Sequence, residues 1–239
     1  MDVAAPVLVV QHEDQAPLAW LGEWLTEAGV HLDVRRPYAG DELPATLAGF
    51  AGLVVLGGEM GAYDDAAHPW LTHTKRLLAE AMRTDIATFG VCLGHQLASV
   101  ARGGAVGKHP QGRQVGVFAL TWTQAAASDA LFADLPGARG VYWNDDVVVG
   151  VPADAVVLAG TAQGGPQVLR LAPRAWSVQF HPEAGYDVVS SWTGPAVTGV
   201  GARDPQVEAM LTELRHAEAE LRSTWQPVAE RFARQVAAG

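Results

Sequence analysis

Over the first hundred residues, short β-branched runs alternate with segments whose apolar residues recur at helical spacing. Val7-Leu8-Val9-Val10 passes into polar Gln11-His12-Glu13-Asp14, the profile of a strand buried on both faces. Pro17 is placed to open a helix, Leu18, Leu21, Leu25 and Ala28 follow on one face, and Gly29 closes it. Leu32-Asp33-Val34-Arg35 predicts a second strand, and Leu53-Val54-Val55-Leu56 a central one that stops at Gly57-Gly58. A helix is expected from Trp70 to Met82, then a strand over Ile86-Ala87-Thr88-Phe89, then a helix from about Gly94 to Ala101. This alternation predicts an α/β fold: an open, mostly parallel sheet flanked by helices, with its functional site at the carboxyl ends of the strands.

After Gly103 the texture changes. Shorter alternating runs separated by Gly, Pro and Asp turns cover Val115 to Leu120, Val141-Tyr142-Trp143, Val147-Val148-Val149, Val156-Val157-Leu158, Val168-Leu169-Arg170 and Trp176 to Phe180. They read as antiparallel additions to the sheet. Between Asp204 and Arg222, residues Val207, Met210, Leu211, Leu214 and Leu221 fall on one helical face. Pro227 reads as the start of a further helix. Ser190 to Gly201, rich in Gly, Thr and Val, is expected to form a loop joining the core to these helices. With no internal repeat and no clear linker, the expectation is one domain over residues 1–239, its core spanning about 6–189 and a C-terminal helical extension about 202–238.

Composition narrows the function classes. The chain has 239 residues, 49% hydrophobic and 18% charged, values typical of a soluble globular protein. A formal net charge of -10 without clustered Lys and Arg argues against a nucleic-acid partner. The opening Met1-Asp2-Val3-Ala4-Ala5-Pro6 lacks the features of a signal peptide, and no apolar run is long enough to span a bilayer, so no membrane association is expected. A single cysteine precludes an internal disulfide, and a reactive thiolate survives best in a reducing compartment. A cytoplasmic location is therefore expected.

That cysteine, Cys92, sits in Gly90-Val91-Cys92-Leu93-Gly94, between a predicted strand and a predicted helix. A Gly-x-nucleophile-x-Gly turn holds the nucleophile on a tight bend, and the glycines remove side chains that would collide there. The following helix N-terminus favours negative charge at the sulfur, and the N–H of Leu93 is placed where an oxyanion would form. In isolation a lone cysteine is more often a buried structural residue. Its place in this turn tips the reading towards a nucleophile.

Gly90 to Gln96, with His95 and Gln96 included, resembles the nucleophile motif of class I glutamine amidotransferases. Gln179-Phe180-His181-Pro182-Glu183 is similar to the segment that carries that family's histidine and glutamate, and Leu56-Gly57-Gly58 lies where it places a second oxyanion donor. Gly58-Glu59-Met60-Gly61-Ala62-Tyr63-Asp64 most resembles free-standing members similar to the amidotransferase domain of GMP synthase. The resemblance implies a flavodoxin-like class I amidotransferase fold and a Cys92, His181 and Glu183 triad. It also implies oxyanion donors at Gly58 and Leu93, and a substrate contact from Gln96.

Amide cleavage through a thioester needs a nucleophile, a proton shuttle and a place for negative charge. His181 would shuttle the proton, and Glu183 would orient the imidazole. Where relatives similar to GMP synthase carry a Ser-His-Gly-Asp-like segment, this chain has Trp143-Asn144-Asp145-Asp146. It keeps Asp146 but loses the glycine. Asn144 and Asp146 are the substrate-binding candidates there, and Gln114 stands where relatives often carry an acidic residue. No metal site and no cofactor are expected. The leading reading is a glutaminase half-reaction that releases ammonia to an acceptor synthetase on a separate chain. The altered loops motivate a second reading, hydrolysis of γ-glutamyl compounds by the same triad. A third, less favoured reading is a non-catalytic binding module.

Overall fold

The computed structural model describes residues 5–162, 164–193 and 204–239. Most of the loop expected over Ser190 to Gly201 lies outside the described residues. A parallel layer is laid down first by strand β1 (Val7–Val10), helix α1 (Ala19–Glu27), β2 (Leu32–Arg35), β3 (Gly52–Val55), α2 (Trp70–Arg83), β4 (Ala87–Val91) and α3 (Leu93–Ala101). The remaining elements are β5 (Ala105–Lys108), β6 (Gln114–Ala119), β7 (Thr121–Trp122), β8 (Arg139–Asn144), β9 (Asp146–Gly150), β10 (Val156–Gly160), β11 (Pro166–Ala172), β12 (Ala175–Val178), α4 (Tyr186–Ser191) and α5 (Pro205–Ala237).

The main sheet has eight strands in the order β2-β1-β3-β4-β12-β11-β10-β7. From β2 to β12 every pairing is parallel, and β12 to β7 is antiparallel throughout. The fold is thus the open, mostly parallel α/β sheet expected. Alternate side chains enter different layers: Val7 and Val9 pack in one apolar cluster with α1 and α5, whereas Leu8 and Val10 pack in the other with α2 and α3. Burial on both faces explains why these strands carry unbroken apolar runs. The strand order reverses at the parallel pair β1 and β3, and the loops that follow these two strands line one crevice.

Two expectations are corrected. Of the later runs, those of β10 and β11 extend the sheet antiparallel and that of β12 enters it parallel to β4, while those of β9, β6 and β8 lie in separate two-stranded ribbons, β5–β9 and β6–β8; β5 and the edge strand β7 were not expected. The β6–β8 ribbon has its own apolar partner, because Val115, Val117, Val141 and Tyr142 share a cluster with Met210, Leu214 and Trp225 of α5. Burial against that helix replaces burial at a sheet edge. Pro227 does not begin a helix: α5 is continuous over 33 residues with Pro227 inside it. Trp225, Val228, Ala229 and Phe232 on both sides of the proline are buried in one core, and this packing outweighs the lost main-chain hydrogen bond. Among the described residues, no helix is long and apolar enough to cross a membrane.

Candidate active site

Cys92 alone connects β4 to α3, with φ 51° and ψ -103°. A positive φ at a non-glycine residue costs on the order of 1–3 kcal/mol and persists only where the surroundings enforce it. Here they do. The Cys92 N–H donates to the Val178 carbonyl at 2.9 Å, and the Gly94 N–H to the Leu56 carbonyl at 3.1 Å, tying the turn to both neighbouring strands. A Cβ at Gly94 would lie 2.0 Å from the Val55 carbonyl oxygen, and one at Gly90 2.8 Å from that of Gly94. Both glycines are therefore required by close main-chain approach. Cys92 itself is 6% exposed.

The parallel register pairs Val91 with Val178, so the chain leaving β12 passes beside the cysteine. His181 is fixed by its N–H, which donates to the Val141 carbonyl at 2.8 Å. Its imidazole and Cys92 both crowd Gly57, where an added Cβ would lie 3.0 Å from His181 Cε1 and 3.6 Å from Cys92 Cβ, and its Nδ1 lies 2.7 Å from Glu183 Oε1. Both side chains are buried. Burial works to lower the imidazole pKa, but the negative charges of Glu183 and Cys92 outweigh it and hold His181 well above its ordinary value. The Trp192 ring stacks obliquely on His181 at a centroid distance of 4.7 Å.

Gly57 and Gly58 follow β3. A Cβ on Gly57 would meet His181 Cε1 at 3.0 Å; one on Gly58 would meet Met60 Sδ at 2.7 Å and His12 Cβ at 3.0 Å. Among the described residues, neither the Gly58 N–H nor the Leu93 N–H has a hydrogen-bond acceptor. Leu93 is the first residue of α3, where a main-chain donor has no intrahelical acceptor. Beneath Gly58, buried His12 accepts from Trp70 Nε1 at 3.1 Å, and burial lowers its pKa to about 3. His95 lies deeper: its Nδ1 is 2.8 Å from Ser177 Oγ, and burial lowers its pKa to about 3.

Cys92, His181 and Gly58 open on a cavity of about 480 Å³, into whose wall Gln96, Asn144 and Asp146 also enter. Gln96 Nε2 donates to the Asp146 carbonyl at 2.9 Å and to Gln179 Oε1 at 3.3 Å. Asn144 Nδ2 donates to the same carbonyl at 3.1 Å, leaving its buried Oδ1 without a partner among the described residues. The Asp146 carboxylate instead meets Lys108 Nζ at 3.0 Å on the rim, beside an Arg113–Asp145 pair at 2.8 Å. Gln114 does not line the cavity. Cys92, His181, Gly58, Gln96, Asn144 and Asp146 thus line one crevice, with Glu183 behind His181 and Leu93 next to Cys92. Sequence reasoning missed Gly57, Gln179, Glu13 and Trp192. The first two lay inside quoted motifs, and Gln179 Nε2 approaches Cys92 Sγ at 3.7 Å. Glu13 was visible only as part of the polar end of β1, and Trp192 carried no signal at all. Among the described residues, no group of three or more His, Cys, Asp or Glu is arranged to hold a metal ion. A thiol, an imidazole held by a carboxylate and two open N–H donors can together move an acyl group onto sulfur and off again.

A family model described as glutamine amidotransferase class-I matches residues 18–188. A glutamine amidotransferase-like protein of Salmonella typhimurium is 28% identical over 76% of this chain and 76% of its own length. A glutamine-hydrolysing GMP synthase of Aeropyrum pernix is 28% identical over 70% of this chain, which spans only 32% of that protein. Gamma-glutamyl peptidase 4 of Arabidopsis thaliana is 22% identical over 77% of this chain and 73% of its own length. A glutamine amidotransferase of Thermotoga maritima shares the fold, with a TM-score of 0.85 over 97% of this chain and 99% of that one at 22% identity.

Proposed function

Because the chain belongs to the class-I glutamine amidotransferase family, we propose that it hydrolyses the side-chain amide of glutamine through a thioester on Cys92. The observation that supports this reading is that Cys92, the Glu183-held His181 and Gly58 open on one cavity, with the Gly58 and Leu93 N–H groups lacking an acceptor among the described residues. In this reading His181 takes the thiol proton as the Cys92 sulfur attacks the amide carbon, and the oxyanion formed is held by the Gly58 and Leu93 N–H groups. The C–N bond then breaks, and a proton from His181 goes to the departing ammonia. Water, deprotonated by His181, cleaves the thioester and regenerates the thiol together with glutamate. Glu183 keeps the imidazole in one tautomer and orientation throughout. Gln96, Asn144 and Asp146 line the wall available to the α-amino acid end of the substrate, and the unpartnered Asn144 Oδ1 is suited to an ammonium donor. The ammonia would pass to a synthetase on a separate chain.

The test is mass spectrometry of the protein incubated with a diazoketone analogue of glutamine, beside a Cys92→Ala control, together with ammonia release from glutamine. A single adduct on Cys92 and ammonia release are expected. Ammonia release that persists in the control would refute the reading.

The cavity favours a second reading, hydrolysis of γ-glutamyl compounds by the same groups. Its volume of about 480 Å³ lies in the range that holds drug-sized ligands and leaves space beyond a five-carbon amino acid.

A further inference from the structure

That extra space is chemically distinctive. The loop after β1 brings Glu13 to the cavity wall, and the loop after β3 brings Glu59. Trp192 is anchored to the β1 loop, its Nε1 donating to the Gln15 carbonyl at 2.7 Å. It joins this loop to His181, on which it stacks, and to Trp143, whose ring lies 6.2 Å away by centroids. Trp192 is only 6% exposed, so its ring is a fixed wall. This wall stands on the His181 side of the sulfur, where the leaving group departs and takes up its proton.

Charge balance separates the two ends of the cavity. The rim cations are already matched, Lys108 by Asp146 at 3.0 Å and Arg113 by Asp145 at 2.8 Å. Among the described residues, none of the salt bridges involves Glu13 or Glu59. Burial and the nearby charge of Glu59 hold the Glu13 carboxyl above its ordinary range, although a main-chain N–H of Glu59 and the charge of His181 act in the opposite sense. A half-buried carboxylate beside a second one and two indole faces is a cation-binding environment.

We propose that Glu13, Glu59, Trp143 and Trp192 form a leaving-group subsite that selects γ-glutamyl amides whose amine portion carries a distal positive charge. The inference rests on the Cys92 thioester reading and adds the substrate class. Attack by the Cys92 sulfur forms the S–C bond and breaks the C–N bond. The amine leaves with the proton from His181, its alkyl chain against Trp192 and its distal ammonium between the carboxylates. Water then releases glutamate. Free glutamine leaves this half of the cavity empty.

The full chain is assayed with glutamine and with three γ-glutamyl amides of matched length, those of pentylamine, 1,5-diaminopentane and 5-aminopentanoate, following amine or ammonia release by mass spectrometry. The diaminopentane amide is expected to exceed the pentylamide in kcat/KM by about tenfold or more, the worth of one charge-assisted hydrogen bond. The aminopentanoate amide should be the poorest of the three. In a Glu13→Gln, Glu59→Gln double variant, the ratio of diaminopentane to pentylamide turnover should collapse towards one. Calorimetric titration of the same amides into the Cys92→Ala chain should give the same ranking without turnover. Equal kcat/KM for the diaminopentane amide and the pentylamide overturns the subsite while leaving the thioester reading standing. A preference that survives the double variant also overturns it. Hydrolysis of none of the four compounds overturns both.

Discussion

Glu183 holds His181 through a 2.7 Å contact between Oε1 and Nδ1, and the second oxygen of the same carboxylate has no partner among the described residues. Glu183 is 1% exposed, so the imidazole is the group that answers its buried charge. Replacing it therefore changes both orientation and proton affinity. Glu183→Gln is expected to lower kcat by up to about 10⁴-fold, the fall that follows neutralising a triad carboxylate. Because the charge of Glu183 raises the His181 pKa, the variant should lose its imidazolium at lower pH than the native chain. The alkaline limb of the kcat/KM profile should move down in pH accordingly. An unmoved limb would show that Glu183 does not act on His181 through charge.

Cys92→Ala should abolish both hydrolysis and labelling by the glutamine analogue, with a fall in kcat of at least about 10⁴-fold. Among the described residues the buried sulfur accepts only from Gln179 Nε2, at 3.7 Å, so the thermal midpoint should change little. Steady-state kinetics and a melting curve on one preparation check both halves.

Gly94→Ala tests the turn itself. With a Cβ placed 2.0 Å from the Val55 carbonyl oxygen, either β3 or the start of α3 must move. A loss of at least about 3 kcal/mol in urea unfolding is expected. A variant of native stability would mean that the turn relaxes in solution.

His12 and His95 should make the fold sensitive to acid. Burial lowers both from 6.5 to about 3, so each is neutral when folded while its unfolded form takes up a proton below about 6.5. Their contribution is complete above that pH and is lost as pH falls towards about 3, at a slope of about 1.4 kcal/mol per pH unit for each histidine. His181 is shifted in the opposite sense, so its contribution is full below 6.5 and is lost only as pH rises through its folded value. Urea midpoints between pH 7.5 and 4.5 should therefore fall steeply in the native chain. They should fall less steeply in a His95→Asn variant.

Pro227→Ala should stabilise the protein. The proline lies inside a continuous helix, where it removes one donor and crowds the preceding turn. Alanine restores the donor, at the cost of some contact from a half-buried ring. The expected net gain is about 1–3 kcal/mol. A lowered melting temperature would show that the ring's packing dominates.

The sequence alone determined what is local. Apolar runs of four residues marked β1 and β3 because both faces of each strand are buried, whereas the edge strand β2 alternates apolar and charged residues, and the glycines around Cys92 marked a turn that admits no side chain at either position. Gly90 to Gln96 and Gln179 to Glu183 were legible for the same reason: each packs its chemistry into a few consecutive residues. Tertiary structure decided the rest. Nothing in the order of the runs showed that β12 would seat beside β4, yet the 2.9 Å bond from the Cys92 N–H to the Val178 carbonyl is what brings two segments nearly ninety residues apart to one place. Helix α5 kept Pro227 inside it and drew β6 and β8 away from the sheet, because burial against a shared core outweighs a local preference. Trp192 and Glu13 became neighbours of His181 through the β1 loop, a juxtaposition that periodicity cannot carry because it depends on where distant strands end in space.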